Sequence, residues 1–419
     1  MGFFDRFKAA APASDLAIAL DIGTEFVKAL IFKVDSDGKA YVLGVGRQRQ
    51  KLSDMQGGTV TDIHGVIKNC EAAIERAAET AGVVPHQVII GIAGELVKGT
   101  TTEIIYHRPK PENKIDYVEL KDIISRVQRR AFDRARTLLA WESGQSELDV
   151  RLVNAAIVDT RIDGYRVTNP LGFQGREVKV GIYNCFAPIV HLGALQTIAD
   201  ELELDLLSVA AEPYAVARCL GPDDSAEFSA IFIDIGGGTS DIAVVRSGGL
   251  EGTKMFALGG RAFTKRLSQT LNLNFAKAEE LKLAYSTGAA DPALQSRIQE
   301  AMQTDAATWL AGVELTLEEF GNKERLPSKI LLCGGGSALP EITQVLAEAE
   351  WAKRLPFATP PVIHFLKPMD LGQVIDNTGE LTEPRDVTPM ALANLAIELI
   401  GAEPVLEGVL RRVVTSLKS

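Results

Sequence analysis

The sequence is short of cysteine, of basic charge and of long apolar runs. Its four cysteines, Cys70, Cys185, Cys219 and Cys333, have no metal-like spacing, so we expect small buried side chains in a reducing compartment. The net charge of -11 argues against nucleic acid as a partner, because nonspecific binding to nucleic acid needs a basic surface. No apolar run reaches the roughly 18 residues of a membrane-spanning helix, and the N-terminus lacks the pattern of a secretory signal. These absences predict a cytoplasmic protein whose contacts with a membrane are peripheral.

The chain is long enough for two or more domains, since it has 419 residues, 46% of them hydrophobic. The stretch LAIALDI (16–22) reads as a buried strand, and FVKALIFKV and GKAYVLGVGRQRQ follow as strands of an antiparallel meander. Apolar spacing predicts helices over 62–81, 116–139 and 188–203, and alternation predicts strands over 150–184.

The opening pattern returns after the polar stretch GPDDSAEF (221–228), which is the best candidate for a domain boundary. SAIFIDIGGGTSDIAVVRSGGL repeats the order of the first strands: an apolar strand, Asp-Ile-Gly, a small polar turn and a second apolar strand. This repeat predicts two related domains built on one plan.

Two of these turns suit a phosphate group, DIGT (Asp21–Thr24) and DIGGGTSD (Asp234–Asp241). Glycine lets the backbone approach a phosphate closely, and successive N–H groups of the turn donate to it. An Asp at the end of a strand can hold Mg²⁺, usually through water. The first motif is also compatible with a plain tight turn, and the second with a flexible glycine hairpin.

A third glycine turn, Gly334-Gly335-Gly336-Ser337, follows the strand KILL and precedes a helix that begins near Leu339-Pro340. The N-terminus of a helix is a suitable place for a sugar, a base or a phosphate. Taken alone, this turn is equally compatible with a packing role.

The three motifs in this order resemble those of the actin-like ATPase superfamily. The resemblance implies an α/β fold with two related domains around a cleft that binds ATP and Mg²⁺. It assigns metal contacts to Asp21 and Asp234, and it identifies Glu279 and Lys282 as residues near the ribose and adenine. The residues that match its phosphate and adenosine motifs are Gly23, Thr24, Gly236, Gly237, Gly238, Thr239, Asp241, Gly334, Gly335, Gly336 and Ser337.

The segment AEPYAVARCL resembles the part of this superfamily whose Glu orients the attacking water, which makes Glu212 the catalytic candidate. The alternative is an acid that interacts favourably with the dipole of a helix N-terminus. Hydrolysis of this kind needs positioning and charge stabilisation, with no covalent nucleophile.

Two further stretches are similar to the FtsA family of bacterial division proteins, GGTVTDIHGVIKNCEAAIERAAETAGVVPHQVIIGIAG and RIDGYRVTNPLGFQGREVKVGIYNC. They flank an inserted subdomain that PilM, a pilus assembly protein, shares. The predicted parts are a possible amphipathic segment at 1–14, a first domain at 15–87 and 187–222, the insert at 88–186, a second domain at 228–400 with nucleotide-covering helices at about 259–325, and an amphipathic helix at 404–419.

This resemblance implies a protein that assembles with itself on the inner face of the cytoplasmic membrane and tethers the FtsZ polymer, with slow ATPase activity at most. A PilM-like role, in which the groove beside the insert binds a peptide of an inner-membrane pilus protein, is an alternative. A small-molecule kinase is a second alternative, although no catalytic Asp for it stands out. The Arg-rich helix at 126–141 departs from the family and leaves the partner open; it can also be a solvated face.

Both ends of the chain are candidates for contact with an anionic membrane. In MGFFDRFK, three Phe side chains accompany Arg6 and Lys8; docking on the protein's own surface and disorder are the alternatives. At 405–417 an apolar Val/Leu face lies opposite basic residues, which suits a membrane surface, docking on the protein itself or a partner.

Overall fold

The computed structural model describes residues 15–94, 96–144, 149–220, 228–322, 324–400, 408–410 and 412–414. The N-terminal segment 1–14, most of the boundary at 221–228 and parts of the C-terminal helix therefore lie outside the described residues.

The described chain contains both strands and helices, often in runs of one kind. The strands are β1 (Leu16–Ile22), β2 (Phe26–Val34), β3 (Ala40–Arg49), β4 (Met55–Gln56), β5 (Thr59–Val60), β6 (Gln87–Ile92), β7 (Lys98–His107), β8 (Val150–Ile162), β9 (Tyr165–Arg166), β10 (Glu177–Pro188), β11 (Asp205–Ala211), β12 (Ala230–Ile235), β13 (Ser240–Arg246), β14 (Gly249–Phe256), β15 (Lys329–Cys333), β16 (Val362–Phe365) and β17 (Val374–Asp376). The helices are α1 (Ile63–Ala81), α2 (Tyr117–Ser143), α3 (Ile189–Glu201), α4 (Glu212–Cys219), α5 (Gly260–Leu271), α6 (Phe275–Ser286), α7 (Pro292–Gly321), α8 (Pro340–Ala347), α9 (Ala349–Lys353) and α10 (Val387–Ile400).

The first sheet has the strand order β11-β6-β1-β2-β3-β17. Strands β1, β2 and β3 form the predicted antiparallel meander, and β1 also pairs with β6 in parallel. Helix α1 packs on β3 at close range, since a Cβ placed on Gly44 or Gly46 would lie 2.0 or 1.8 Å from the carbonyl oxygen of Ala77 or Ala73. Only glycine permits this approach, which brings the helix onto the sheet that carries the first phosphate motif.

The second sheet repeats the first. Strands β12, β13 and β14 form a second antiparallel meander, β12 pairs in parallel with β15, and β16 lies beyond β15. The order β16-β15-β12-β13-β14 thus matches β11-β6-β1-β2-β3, which confirms that the sequence repeat is a repeat of structure. Because β1 and β12 occupy equivalent positions, their C-terminal ends carry equivalent residues, Asp21 and Asp234.

The segment between β6 and α3 contains β7, α2, β8, β9 and β10, with β10 paired between β7 and β8. This sheet is continuous with the second one, because β14 pairs with β7 at Gly252 and Thr253. The continuity was not predicted from the sequence. Helix α2 is fixed near its N-terminus by the buried guanidinium of Arg108, which donates to both carboxylate oxygens of Glu119 at 2.8 Å.

The C-terminal end of the predicted second domain packs elsewhere than expected. Strand β17 pairs with β3, and α10 packs against β1 and α4, so both belong to the core around the first sheet. Helix α10 is buried on nearly all sides, and a helix that is apolar all round requires such a site between two layers. The hydrophobic partners that this helix needs are supplied by the first sheet.

The described part of the C-terminal segment, 408–410 and 412–414, is helical. Val409, Leu410 and Val413 are buried in the same apolar cluster as residues of α2 and β10. The guanidinium of Arg412 lies 5.6 Å from the ring centre of Tyr117. In this arrangement the apolar side of the segment faces the protein's own insert, which is the docked alternative among those left open by the sequence.

Candidate functional site

The two phosphate-type turns face each other between the two sheets. A Cβ placed on Gly238 would lie 2.6 Å from the hydroxyl oxygen of Thr24, and one placed on Gly237 would lie 2.7 Å from the Cβ of Glu25. The structure therefore brings together two segments more than 200 residues apart in the chain. Their contact is close enough to require glycine, since any side chain would collide with the opposite turn.

Four buried carboxylates surround this point of contact. Asp21 is the last residue but one of β1, Asp234 and Asp241 lie opposite each other on β12 and β13, and Glu212 begins α4. Each of these residues is at most 7% exposed. Asp21 and Asp234 lie near the C-terminal ends of β1 and β12, the matching strands of the two sheets, and the facing turns that follow bring these ends together.

The ammonium of Lys28 on β2 lies 2.9 Å from the Oδ2 atom of Asp21 and also donates to the carbonyl oxygen of Arg385. Burial acts to lower the pKa of Lys28, but attraction to Asp21, and more weakly to Asp234, outweighs it, so the pKa is raised overall. Lys28 therefore remains charged and neutralises part of the acidic cluster.

The remaining acids are poorly compensated. Burial raises the pKa of Glu212 well above its ordinary value, and repulsion from Asp21 and Asp241 adds to the shift. Burial, followed by repulsion from Asp234, likewise raises the pKa of Asp241. One oxygen of each, Oε1 of Glu212 and Oδ1 of Asp241, is buried without a hydrogen-bond partner among the described residues. The site thus has more buried carboxyl groups and acceptors than the described residues compensate, and a bound cation would favour the ionised form of these acids.

The third glycine turn packs directly behind Asp234. Gly334 has φ +81°, and a Cβ at this position would lie 2.0 Å from the Oδ1 atom of Asp234. The hydroxyl of Ser337 donates to the carbonyl oxygen of Gly334 at 2.7 Å, and the hydroxyl of Thr388 on α10 donates to Asp234. Burial raises the pKa of Asp234, with the Thr388 hydrogen bond acting against it. The turn and the acid therefore hold each other in place.

The structure places Glu279 and Lys282 together on α6, where both are buried. The ammonium of Lys282 lies 2.8 Å from Glu279, 2.9 Å from the hydroxyl of Thr264 and 3.1 Å from the carbonyl oxygen of Gly260. Gly260 in turn donates its N–H to the carbonyl oxygen of Gly236 at 2.9 Å. This network ties the predicted nucleotide-covering helices to the second phosphate turn.

Lys28, Glu25, Arg261 and Thr388 complete the site, and sequence reasoning missed all four. For Lys28 a signal existed, because the β1–β2 hairpin pairs it directly with Asp21. Arg261 and Thr388 reach the site from other elements through tertiary packing, so no local pattern pointed to them.

These residues fit a phosphate group with a divalent cation. Glycine turns supply close backbone approach, and the uncompensated buried carboxylates favour a cation. Within the described residues, no three His, Cys, Asp or Glu side chains are grouped to hold a metal ion between them. Mg²⁺ does not need such a cage, since it usually keeps several waters and contacts one or two carboxylates and the phosphates.

The duplicated sheets and the facing turns between them define an actin-like ATPase fold, as the sequence predicted. The solved structure of the PilM–PilN type IV pilus biogenesis complex shows the same fold, with a TM-score of 0.63 at 16% identity over 91% of this chain and 98% of the other.

The comparisons by sequence are more specific. A family model described as cell division protein FtsA matches residues 231–389. Cell division protein FtsA of Neisseria meningitidis is 26% identical over 92% of this chain and 91% of its own length. The protein of the same description from Pseudomonas aeruginosa is 24% identical over 81% of this chain and 82% of its own length. The chain is FtsA-like, and the resemblance predicted from its sequence is confirmed.

No helix in the described part of the chain is both long and apolar enough to cross a membrane.

Proposed function

We propose that this protein binds ATP with Mg²⁺ between its two related domains and acts in bacterial cell division as a membrane-associated, self-assembling actin-like protein that tethers the FtsZ polymer. The observation that carries the nucleotide part is the pair of facing glycine turns above a buried, undercompensated acidic cluster. The similarity to division proteins over most of the chain supports the cellular role.

Each part of the site has a role in this proposal. The turns at 23–24 and 236–239 would receive the phosphates through backbone N–H groups, with Lys28 as the nearby cation. Asp21 and Asp234 would hold Mg²⁺ through water, and the ion would neutralise the phosphate charge. Glu212 would accept a hydrogen bond from the attacking water and orient it. Because its pKa is raised, the Glu212 carboxyl is increasingly protonated as the pH falls, and the protonated form cannot take a proton from the water. Turnover is therefore expected to be slow and to fall with acidification.

The membrane contact is assigned to the N-terminal segment MGFFDRFK. Its competitor, the C-terminal helix, has Val409, Leu410 and Val413 buried against the insert, so these side chains are occupied. One short apolar segment binds a membrane weakly and reversibly. Many copies on one filament bind firmly through effective concentration, which couples attachment to assembly.

The test is co-sedimentation with anionic liposomes, with and without ATP and Mg²⁺, for the full chain, a chain lacking residues 1–10 and a chain lacking residues 404–419. We expect the full chain to pellet, more strongly with ATP, and the first deletion to abolish pelleting. The second deletion should leave pelleting intact in the fraction that remains folded. If neither deletion weakens pelleting, the tethering model loses its support.

A PilM-like role is the second candidate, and the likeness of fold to the PilM structure favours it. The two candidates differ in partner and share the nucleotide site. Addition of FtsZ to the liposome experiment separates them, because only a division protein should carry FtsZ into the pellet. The small-molecule kinase has no such observation in its favour.

A further inference from the structure

Glu25 follows the first phosphate turn directly, and its carboxylate lies between two arginines. The Oε1 atom is 2.7 Å from the Nε atom of Arg49, which belongs to the same domain. The Oε2 atom is 2.7 Å from the Nε atom of Arg261, which lies in the first turn of α5 in the other domain. The side chains of Glu25 and Arg261 are both 15% exposed, so solvent only weakly screens their attraction.

Arg261 is fixed to the second phosphate turn through its backbone, because its N–H donates to the carbonyl oxygen of Gly237 at 2.8 Å. Its guanidinium also donates from Nη1 to the carbonyl oxygen of Met55 at 3.0 Å. The remaining nitrogen, Nη2, is buried and has no hydrogen-bond partner among the described residues. Arg261 thus connects the second turn to two points of the first domain and has one donor to spare.

The pair closes the space that a phosphate chain would need. The turns at 23–25 and 236–238 touch so closely that a methyl group on Gly237 or Gly238 would collide with the other side. A phosphate group is larger than a methyl group, so polyphosphate can enter between the turns only if they separate. Separation stretches the Glu25–Arg261 ion pair, which spans the same gap.

We propose that Glu25 and Arg261 form a latch that holds the two phosphate turns together without nucleotide, and that a nucleoside triphosphate releases it by taking over the Arg261 guanidinium. The latch itself stands on the contacts above, whereas its release rests on the proposed ATP-binding function. When phosphate takes the place of Glu25 at Arg261, the Glu25 carboxylate is still paired, because it keeps its contact with Arg49. A guanidinium binds phosphate through two parallel hydrogen bonds, and Nη2 is free to make one of them.

The first experiment uses the full chain without nucleotide. Hydrogen exchange of the backbone amides in both turns is measured for the wild type and for Glu25→Gln, Glu25→Asp and Arg261→Gln. The matched controls are Asp305→Asn and Arg266→Gln, which break an ion pair of 2.7 Å that also involves α5 but lies entirely within the second domain.

We expect exchange in both turns to accelerate about fivefold or more when the latch is broken, which is the lower end of typical coupling between sites. The controls should leave both turns at the wild-type rate. Unchanged exchange in the folded Glu25 variants would overturn the latch. Glu25→Asp keeps the charge while shortening the side chain, so it serves if the neutral variant fails to fold.

The second experiment titrates the same variants with fluorescent ATP and ADP analogues. Glu25→Gln should bind the ATP analogue about fivefold more tightly than the wild type, since the latch no longer competes. The gain should vanish in the Arg261→Gln background, where no guanidinium remains to be exchanged. Equal affinity of the wild type and Glu25→Gln would overturn the release by triphosphate. If the wild type binds neither analogue while exchange still responds, the proposed nucleotide function fails and the latch stands.

Discussion

At the scale of single residues, charge balance is the main feature of the site. Asp21, Asp234, Asp241 and Glu212 are buried around one point, and Lys28 is the cation that contacts the cluster directly. An uncompensated buried charge costs stability, and proteins keep such arrangements where function requires them. The site is therefore expected to be less stable empty than with a bound cation.

Glu212→Gln is predicted to stabilise the protein without nucleotide near neutral pH. The pKa of Glu212 is raised on folding, so the wild type loses stability as the pH rises from the ordinary range of carboxyl groups through the raised value. The neutral amide cannot ionise and removes this loss, with a gain of about 1 kcal/mol or more, because each unit of pKa shift corresponds to about 1.4 kcal/mol. Urea unfolding at several pH values measures it.

The matched control for this change is Glu201→Gln, because Glu201 is exposed at the end of α3. It should change the free energy of unfolding by less than about 0.5 kcal/mol. A Glu212→Gln variant that is less stable than the wild type at pH 7 would contradict the argument from charge.

Gly334→Ala is predicted to disrupt the site far more than Gly379→Ala. Both glycines have positive φ, +81° and +71°, which costs an alanine about 1–2 kcal/mol. Only at Gly334 would the methyl group also collide with Asp234, whereas Gly379 has open space. Overpacking adds about 1–3 kcal/mol, so the difference between the two variants isolates the collision. Thermal unfolding of both variants checks it, and equal destabilisation would exclude the predicted contact.

At the scale of elements, the insert depends on segments far apart in the chain. Its helix α2 is fixed by Arg108 and Glu119, and its apolar core is completed by the C-terminal segment at 408–410 and 412–414. A cavity of about 530 Å³ beside Phe132 and Phe186 also reaches Val414, so packing around this segment is incomplete on one side. The segment therefore stabilises the insert through a few buried side chains.

Leu410→Ala is predicted to destabilise the insert by about 2–5 kcal/mol, as for other buried leucines. Arg412→Ala is the control from the same turn, because Arg412 is exposed and its contact among the described residues is with the Tyr117 ring, so its loss should cost about 0.5–1 kcal/mol. Hydrogen exchange along α2 is the measurement, since it reports on the insert separately from the two main domains. Similar protection of α2 in both variants would show that the segment does not support the insert.

At the scale of the whole molecule, the proposed nucleotide site is formed by residues of both domains, so a ligand bound there should stabilise both. A ligand at 100 times its Kd raises the free energy of unfolding by about 2.7 kcal/mol. We predict a stabilisation of this size by ATP with Mg²⁺ and a smaller effect of ATP with EDTA, because the acidic cluster repels a triphosphate without its cation. Thermal unfolding without ligand, with ATP and Mg²⁺, and with ATP and EDTA checks this prediction. Equal effects with and without Mg²⁺ would contradict the metal assignment to Asp21 and Asp234.

Much of this protein was determined by local sequence. The strand–Asp-Ile-Gly–turn pattern predicted both meanders, because two apolar strands joined by a short turn readily pair with each other. The three glycine motifs were found for a related reason: close contact leaves no choice of side chain, so the requirement appears in the sequence itself. The repeat and the glycine turns followed from these patterns, whereas the actin-like fold class and the choice of Glu212, Glu279 and Lys282 followed from the resemblance that the motifs carry.

Tertiary structure alone decided what depends on which elements meet. An apolar helix shows in sequence that it will be buried but not against which sheet, so α10 and β17 were assigned to the second domain although they pack on the first. The same holds for the C-terminal segment, whose amphipathic pattern suits a membrane and a protein core equally. Charged side chains that meet across the cleft, such as Glu25 and Arg261, have no periodicity at all. Their pairing follows only from the packing of two domains, and so does the latch between them.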